Sequence, residues 1–281
     1  MKEVNINFVK NLYKKRDPWC HKGDFGKLLI VGGNKKYSGS PALNALAAYR
    51  TGADLVIVAA PRRAADIIAA FSPNMITYPL EGDFLALKHL KTILSLADDS
   101  DAVVIGGGLG KEKQTITSIQ TFLSKLKKPC VIDADAIHAV AKNKNIIKKN
   151  FVLTPQVIEF LALTGKDVRK ISLEERERAV EESALKLKTT IVLKGHVDVI
   201  SGERGTTINT SGSEFMTKGG TGDTLAGICG ALLARGINPQ DAAAAATFIN
   251  GAAGSLAAKK FGESLLATDL IDFIHEVLLT K

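Results

Sequence analysis

The chain has 281 residues, of which 46% are hydrophobic and 23% charged, a composition typical of a soluble globular protein. This length suffices for one large α/β domain with a well-buried core. The net charge of +8 is spread along the chain and forms no basic tail or aromatic-interleaved patch, so no nucleic-acid partner is predicted. The positive charge can help to gather an anionic small substrate, or it can serve solubility alone.

The cysteines and the N-terminal segment exclude further classes. Cys20, Cys130 and Cys229 are far apart, which argues against a disulfide framework and against paired zinc ligands. The first residues show no basic-then-apolar export signal, and no apolar run approaches the ~20 residues that cross a bilayer. We therefore expect a cytoplasmic protein with no membrane partner.

Short apolar runs alternate with helical patterns along most of the chain. Buried strands are predicted at residues 27–31, 54–59, 102–105, 130–132, 151–153 and 190–193. Helices are predicted at residues 42–50, 63–71, 87–97, 115–126 and 172–188, and again at 241–260 and 267–279. Residues 194–209 are expected to form strands joined by tight turns at a sheet edge. The alternation predicts a single α/β domain with a mainly parallel sheet covered by helices on both faces.

Glycine and polar residues gather where the predicted strands end. These are Gly32 and Gly33, then Gly106 to Gly110, Asp133 with Asp135, Thr154 with Pro155, and Lys194 with Gly195. Each has an ordinary structural alternative, such as a turn, a helix cap or a surface lysine. In an open parallel sheet, however, ligands bind beyond the carboxyl ends of the strands. Their concentration at this edge predicts the ligand crevice there.

The most informative segment is K-G-G-T-G-D-T-L-A-G at residues 218–227. Three glycines and Thr221 precede an apolar helix, whose first turn offers unpaired N–H groups and the positive end of the helix dipole. Such a loop suits phosphate oxygens. Asp223 at its rim can take a proton from a hydroxyl beside a phosphoryl group. The alternative is a glycine turn with Asp223 as the helix N-cap.

Common nucleotide and hydrolase motifs are absent. The chain has no G-x-x-x-x-G-K-[ST], no G-x-G-x-x-G after the first strand, no G-x-S-x-G and no metalloprotease histidine pair. What remains is a phosphate held by a late glycine loop with an adjacent aspartate. This arrangement predicts phosphoryl transfer by positioning and electrostatics.

A series of motifs resembles the ADP/ATP-dependent NAD(P)H-hydrate dehydratase family over about residues 15–275. In order they are H-K-G-D-F-G-K-L-L-I-V-G-G, S-G-S-P-A-L-N-A, the glycines 106–110, D-A-D-A-I, L-T-P-x-x-x-E-F, V-L-K-G and G-G-T-G-D-T-L-A-G. The resemblance implies a ribokinase-like fold, a three-layer α/β/α arrangement with a mainly parallel central sheet. It also implies one dehydratase domain over residues 1–281, without the N-terminal epimerase domain with which this family is often fused.

The resemblance further implies a nucleotide-repair reaction. The family acts on NADH or NADPH whose nicotinamide ring has been hydrated (NADHX, NADPHX). With ADP or ATP and Mg²⁺ it phosphorylates the ring hydroxyl, after which phosphate leaves and the dihydropyridine is restored. The family also implies a homotetramer.

Site residues carried over from the family fall into three groups. Asp223 would be the general base. Contacts to the hydrated dinucleotide would come from Ala42, Gly110, Gln156 and Asp223. Contacts to the adenine nucleotide would come from Lys194, Gly195, His196, Val197, Asp198, Gly219, Gly220, Thr221 and Gly222. Glu159 would organise magnesium through water.

One departure from the family keeps two other functions open. The family motif T-P-H-P-G-E is replaced here by Thr154-Pro155-Gln156-Val157-Ile158-Glu159. Glutamine can hydrogen-bond where histidine did, but it carries no charge near neutral pH. One alternative is a kinase of the same fold acting on a vitamin precursor or sugar. Another is a catalytically silent nucleotide-binding module, against which the retained Asp223 argues.

Overall fold

The structure, a computed structural model, describes residues 2–279 as one ten-stranded sheet flanked by helices. The strands are β1 (Lys2–Glu3), β2 (Lys27–Val31), β3 (Leu55–Pro61), β4 (Ile76–Leu80), β5 (Ala102–Ile105), β6 (Cys130–Ile132), β7 (Phe151–Leu153), β8 (Thr190–Leu193), β9 (Asp198–Gly202) and β10 (Gly205–Asn209). Their order across the sheet is β1-β10-β9-β8-β7-β6-β5-β2-β3-β4. From β8 to β4 every neighbouring pair is parallel. Only β9 runs antiparallel to both of its neighbours.

Helices cover both faces of this sheet. They are α1 (Ile6–Leu12), α2 (Gly39–Arg50), α3 (Arg62–Phe71), α4 (Leu90–Asp98), α5 (Lys113–Lys125), α6 (Asp135–Ala141), α7 (Val157–Thr164), α8 (Leu173–Leu187), α9 (Thr221–Ala234), α10 (Pro239–Phe261) and α11 (Ala267–Leu279). Alternate side chains of β2 enter different cores: Leu28 and Ile30 pack with α2, α3 and α9, whereas Leu29 and Val31 pack with α4 to α6. The unbroken apolar runs in the sequence therefore reflect strands buried on both faces. Within residues 2–279, every helix falls short of the length or apolar character that crossing a bilayer requires.

Helix α9 lies against the sheet and against α2 at unusually close range. All of its residues from Thr224 to Ala234 are buried. A Cβ atom on Gly227 would lie 2.2 Å from the main-chain oxygen of Asn44, and one on Gly230 would lie 2.3 Å from Val104 Cγ2. Both glycines are therefore needed because no side-chain atom fits between the packed elements. This packing fixes the first turn of α9 at the carboxyl edge of the sheet.

The predicted fold class is confirmed, with differences at the edges. Five of the six predicted strands in the parallel part keep their bounds, and the sixth is observed at Leu55–Pro61. Residues 194–209 form the expected strands joined by a tight turn, β9 and β10, but they are not outermost, because the two-residue β1 pairs with β10. Strand β4 was not anticipated, since its alternating I-T-Y-P-L pattern is weakly apolar and includes a proline.

Substituting Gly227 tests the close packing of α9. Alanine normally stabilises a helix interior by about 1 kcal/mol relative to glycine. Here we expect Gly227→Ala to lower the free energy of unfolding by roughly 1–3 kcal/mol, because the new methyl group overlaps the backbone of α2. Urea unfolding measures the change. Gly39→Ala is the matched control, since a Cβ there meets no atom within 4 Å; an unchanged or increased stability of Gly227→Ala would contradict the packing.

Candidate active site

Polar side chains from three neighbouring strands meet beyond the carboxyl ends of β6, β7 and β8. Lys194 Nζ donates to Asp133 Oδ1 at 2.8 Å. The Thr154 hydroxyl donates to the same oxygen at 2.7 Å. Asp133 is only 3% exposed and Thr154 is fully buried, so this ion pair is shielded from water and has a defined geometry.

Lys194 is surrounded by carboxylates. Its side chain is 14% exposed. Burial acts to lower the pKa of this ammonium, but the charges of Asp133, Glu159 and Asp223 together raise it above its ordinary value. Lys194 therefore carries a positive charge at every physiological pH. Its Nζ lies beside the first turn of α9, 3.4 Å from where a Cβ of Gly222 would be.

The start of α9 has unpaired N–H groups close to the Lys194 ammonium. The main-chain N–H groups of residues 219–223 donate no hydrogen bond within residues 2–279. The turn is held from behind, because the Asn250 side-chain amide donates to the Thr221 carbonyl at 3.2 Å and the Thr221 hydroxyl donates to the Met216 carbonyl at 2.9 Å. Free amides, the helix dipole and Lys194 together favour an anion at this position.

Asp223 lies on the side of α9 that faces α2. Its Oδ1 accepts a hydrogen bond from the Ser40 hydroxyl, and its main-chain oxygen accepts one from Asn44 Nδ2 at 2.6 Å. Burial, followed by the nearby charge of Asp133, raises the pKa of Asp223 to about 6, although Ser40 and Lys194 act in the opposite direction. A carboxylate with a pKa near 6 is ionised at neutral pH yet basic enough to accept a proton, as a general base requires.

A groove of 810 Å³ opens on the other side of the α9 turn. Its lining includes Gln156, Lys194, Gly195, Asp198 and Gly219. The groove is adjacent to Lys194 and the free amides, but its wall does not include Asp223. The free amides and Lys194 thus lie between this groove and the half-buried Ser40–Asp223 pair.

Asp198 holds the turn that forms one wall of the groove. Its two carboxylate oxygens accept from the Gly195 N–H and from Asn209 Nδ2, each at 3.1 Å. Burial raises the pKa of Asp198 to about 6 despite these hydrogen bonds. The carboxylate is ionised at neutral pH and fixes the backbone that follows Lys194.

Most of the residues predicted to contact nucleotide lie around this groove. Seven of them line it: Lys194, Gly195, His196, Asp198, Gly219, Thr221 and Gly222. Val197 is half-buried, and Gly220 has a left-handed φ of 102° at the N-cap of α9. Gln156, predicted for the substrate, lines the groove as well, with an exposed side chain.

The other two predicted substrate contacts, Ala42 and Gly110, do not line the groove. Ala42 is in α2 and 3% exposed, so it has little surface with which to contact a substrate. Gly110 follows β5, and its N–H donates to Asp135 Oδ2 at 2.8 Å. The assignments of these residues to substrate or nucleotide remain predictions.

Glu159, the predicted magnesium organiser, is half-buried. Its Oε2 accepts from the Gln156 N–H at 2.7 Å, and burial raises its pKa while Lys194 opposes the shift. In the described part of the chain, no three His, Cys, Asp or Glu side chains converge closely enough to enclose a metal ion. The half-buried Glu159 carboxylate would suit contact with a nucleotide-bound magnesium ion through water, since this ion usually keeps several of its waters.

Three residues of the site were given no individual role from the sequence. Ser40, Asn44 and Asn209 contact charged or main-chain groups of the predicted site residues. The signal for Ser40 and Asn44 was the motif S-G-S-P-A-L-N-A, which contains both of them. Their partner Asp223 is 183 and 179 residues away along the chain.

The raised pKa of Asp223 makes a prediction about stability. A carboxyl group whose pKa is higher in the folded state than its ordinary 3.8 stabilises the fold at low pH, and this contribution is lost as pH rises through about 6. Asp223→Asn keeps an oxygen for Ser40 and removes the charge. We expect it to be more stable than wild type by about 1–3 kcal/mol at pH 8.

The excess stability of Asp223→Asn over wild type should shrink as pH falls from 6 towards 4, and it should vanish below that range. Urea unfolding at several pH values measures it. Asp66→Asn, an exposed position in α3, is the matched control. An Asp223→Asn variant that is equally or less stable than wild type at pH 8 would show that this carboxylate carries no burial penalty.

Comparison with known proteins identifies the family. A family model described as NAD(P)H-hydrate dehydratase matches residues 28–276. The chain is 42% identical over 275 residues to a bifunctional NAD(P)H-hydrate repair enzyme of Pyrobaculum aerophilum, covering 97% of this chain and 53% of that protein. It is 35% identical over 280 residues to an ADP-dependent (S)-NAD(P)H-hydrate dehydratase of Nitrosopumilus maritimus, covering 99% and 96%.

Solved structures agree with this assignment. The ADP/ATP-dependent NAD(P)H-hydrate dehydratase of Bacillus subtilis, co-crystallised with ATP and Mg²⁺, superposes with a TM-score of 0.81 at 26% identity, covering 98% of this chain and 97% of that one. A ribokinase-like superfamily protein of Enterococcus faecalis shares the fold, with a TM-score of 0.87, 24% identity, and coverage of 99% and 95%. The chain spans about half the length of the bifunctional relatives it matches. The chain belongs to the NAD(P)H-hydrate dehydratase family.

Proposed function

We propose that this chain dehydrates hydrated NAD(P)H, using ADP or ATP to phosphorylate the ring hydroxyl. The observation that carries the proposal is the position of the α9 N-terminus and Lys194 at the groove, with Asp223 in the first turn of the same helix. The names of the relatives support dehydration over simple phosphorylation of an alcohol.

The groove is the proposed place for the adenine nucleotide. It is large enough for a nucleotide at 810 Å³, and its inner end is the cluster of free amides and Lys194. The terminal phosphoryl group would accept hydrogen bonds from the N–H groups of residues 219–222 and pair with the Lys194 ammonium. In this proposal the transferable phosphorus lies at the start of α9, the helix whose first turn carries Asp223.

The hydrated nicotinamide would lie on the Ser40 side with its hydroxyl at Asp223. The carboxylate takes the hydroxyl proton as the oxygen bonds to phosphorus, and the bond from phosphorus to the bridging oxygen of the nucleotide breaks. ADP leaves if the donor is ATP, and AMP if it is ADP. Inorganic phosphate is then expelled from the ring carbon with loss of a proton from the adjacent carbon, which restores the double bond.

Charge stabilisation by the chain's own groups drives the first step. The transferring phosphoryl group gathers negative charge on its peripheral oxygens, and the amides and Lys194 are fixed in place before the reaction begins. Nucleotide-bound Mg²⁺ would supply further neutralisation of phosphate charge, with Glu159 contacting its water. Hydroxide is a poor leaving group and phosphate a good one, which is the chemical reason for using a nucleotide.

The proposal includes the expectations that the resemblance supplies. We infer one dehydratase domain within residues 1–281, assembly as a homotetramer and a cytoplasmic location. A small-molecule kinase of the same fold is the alternative reaction, and the altered segment at Gln156 motivates it.

Recovery of NADH tests the proposed function. Purified protein is incubated with hydrated NADH or NADPH, Mg²⁺ and either nucleotide, and absorbance of the dihydronicotinamide is followed together with phosphate release. We expect absorbance and phosphate to appear in equal amounts. A stable phosphorylated alcohol without restored absorbance would establish the kinase alternative, and nucleotide binding without turnover would establish a silent module.

Removing the proposed base gives a second test. Asp223→Asn should lower kcat by roughly 10²–10⁴-fold, since it can no longer accept the hydroxyl proton. The dissociation constant for nucleotide, measured by calorimetry, should change little because the groove and Lys194 are intact. Asp66→Asn should retain wild-type kcat. Equal activity of Asp223→Asn and wild type would remove Asp223 from the mechanism.

A further inference from the structure

We propose that Ser40 is a positioning residue for Asp223. The Ser40 hydroxyl bonds one oxygen of the Asp223 carboxylate and leaves the other oxygen as the proton acceptor. This inference rests on the proposed function for its role in turnover. The geometry beneath it is independent of the reaction, because it concerns how the carboxylate is held.

The carboxylate of Asp223 is asymmetrically bonded. Ser40 donates its hydroxyl to Oδ1, whereas Oδ2 accepts no hydrogen bond from any residue in the described range 2–279. A hydroxyl at this position fixes the rotation of the carboxylate plane. The unbonded oxygen is therefore presented in one direction, where a substrate hydroxyl can reach it.

A second hydrogen bond and the packing of α2 on α9 hold Ser40 and Asp223 in place. Asn44, one helical turn beyond Ser40 on the same face of α2, holds the main-chain oxygen of Asp223 at 2.6 Å. The backbone and the side chain of the base are thus both attached to α2. Helix α2 and helix α9 are packed as one unit through Gly227, so Ser40 and Asp223 keep their separation.

Gly107 provides the space that this arrangement requires. A Cβ atom there would lie 1.9 Å from Ser40 Oγ and 3.0 Å from Asp223 Oδ1. Any side chain at position 107 would displace the hydroxyl from the carboxylate. The glycine therefore serves the hydrogen bond between Ser40 and Asp223.

The hydrogen bond also sets the proton affinity of the base. A donor to the ionised form stabilises it and so lowers the pKa of Asp223, against the effect of burial. Without the Ser40 hydroxyl, the pKa of this carboxyl group should rise and less of it would be ionised at neutral pH. Ser40 is thus expected to act on both the direction and the protonation of the base.

The direct test is an NMR titration of the Asp223 carboxyl carbon in protein labelled with ¹³C-aspartate, assigned with Asp223→Asn. Wild type should titrate near pH 6. In Ser40→Ala the midpoint should rise by roughly 1 pH unit, and Ser40→Thr, which retains the hydroxyl, should restore it. Ser38→Ala is the matched control, since Ser38 makes no side-chain hydrogen bond at the cap of the same helix.

Turnover supplies the second readout. In Ser40→Ala the acidic limb of the plot of kcat/KM against pH should shift to higher pH, together with the NMR midpoint. The plateau of kcat/KM should fall roughly tenfold to a hundredfold, because the carboxylate of Asp223 is no longer held in one orientation. Unchanged midpoints in Ser40→Ala would overturn the inference, whether or not the protein is a dehydratase. Failure of wild type to restore NADH would instead overturn the proposed function alone, because the titration needs no substrate.

A variant that retains a weaker donor covers the case in which Ser40→Ala does not fold. Ser40→Cys places a weak thiol donor at the same position. Its midpoint should shift in the same direction by a smaller amount. A midpoint equal to that of wild type in Ser40→Cys would contradict the role of the hydroxyl.

Discussion

The close packing of α9 against β5 and α2 is the constraint on which the site depends. Gly227 and Gly230 allow the helix to approach backbone and side-chain atoms at distances that any Cβ would violate. A helix held this rigidly brings its first turn, with its unpaired N–H groups, to the edge where β6, β7 and β8 end. The proposed phosphoryl site is therefore a consequence of core packing, and its amides would need no rearrangement when charge develops on a substrate.

Electrostatic balance at this edge follows from the same arrangement. One ammonium, that of Lys194, lies among three carboxylates, and burial makes each of these charges matter more than it would in water. Asp133 pairs with the Lys194 ammonium and accepts a hydrogen bond from Thr154, whereas Asp223 keeps an unbonded oxygen and an elevated proton affinity. The same residue type is thus structural at one position and suited to proton transfer at the other. Local surroundings, and not residue identity, separate the two roles.

How much of this could be predicted from the sequence depends on the range of the interaction. Buried strands such as Ala102–Ile105 were predicted at their bounds because continuous apolar runs record burial on both faces. The glycine loop before α9 was recognisable because its chemistry is local. The pairing of Lys194 with Asp133, 61 residues apart, and of Ser40 with Asp223 depends on the order of strands, which no local pattern records. Strand β1, only two residues long, is likewise defined by its partner β10 and not by its own sequence.

The most direct measurement is a crystal structure with a non-transferable ATP analogue, magnesium and hydrated NADH bound together. We expect the terminal phosphoryl group within hydrogen-bond distance of the N–H groups of residues 219–222 and of Lys194 Nζ. We also expect the ring hydroxyl about 2.6–3.2 Å from Asp223 Oδ2, with Oδ1 still accepting from Ser40. A phosphoryl group bound away from the start of α9, or a hydroxyl out of reach of Asp223, would contradict the proposed mechanism.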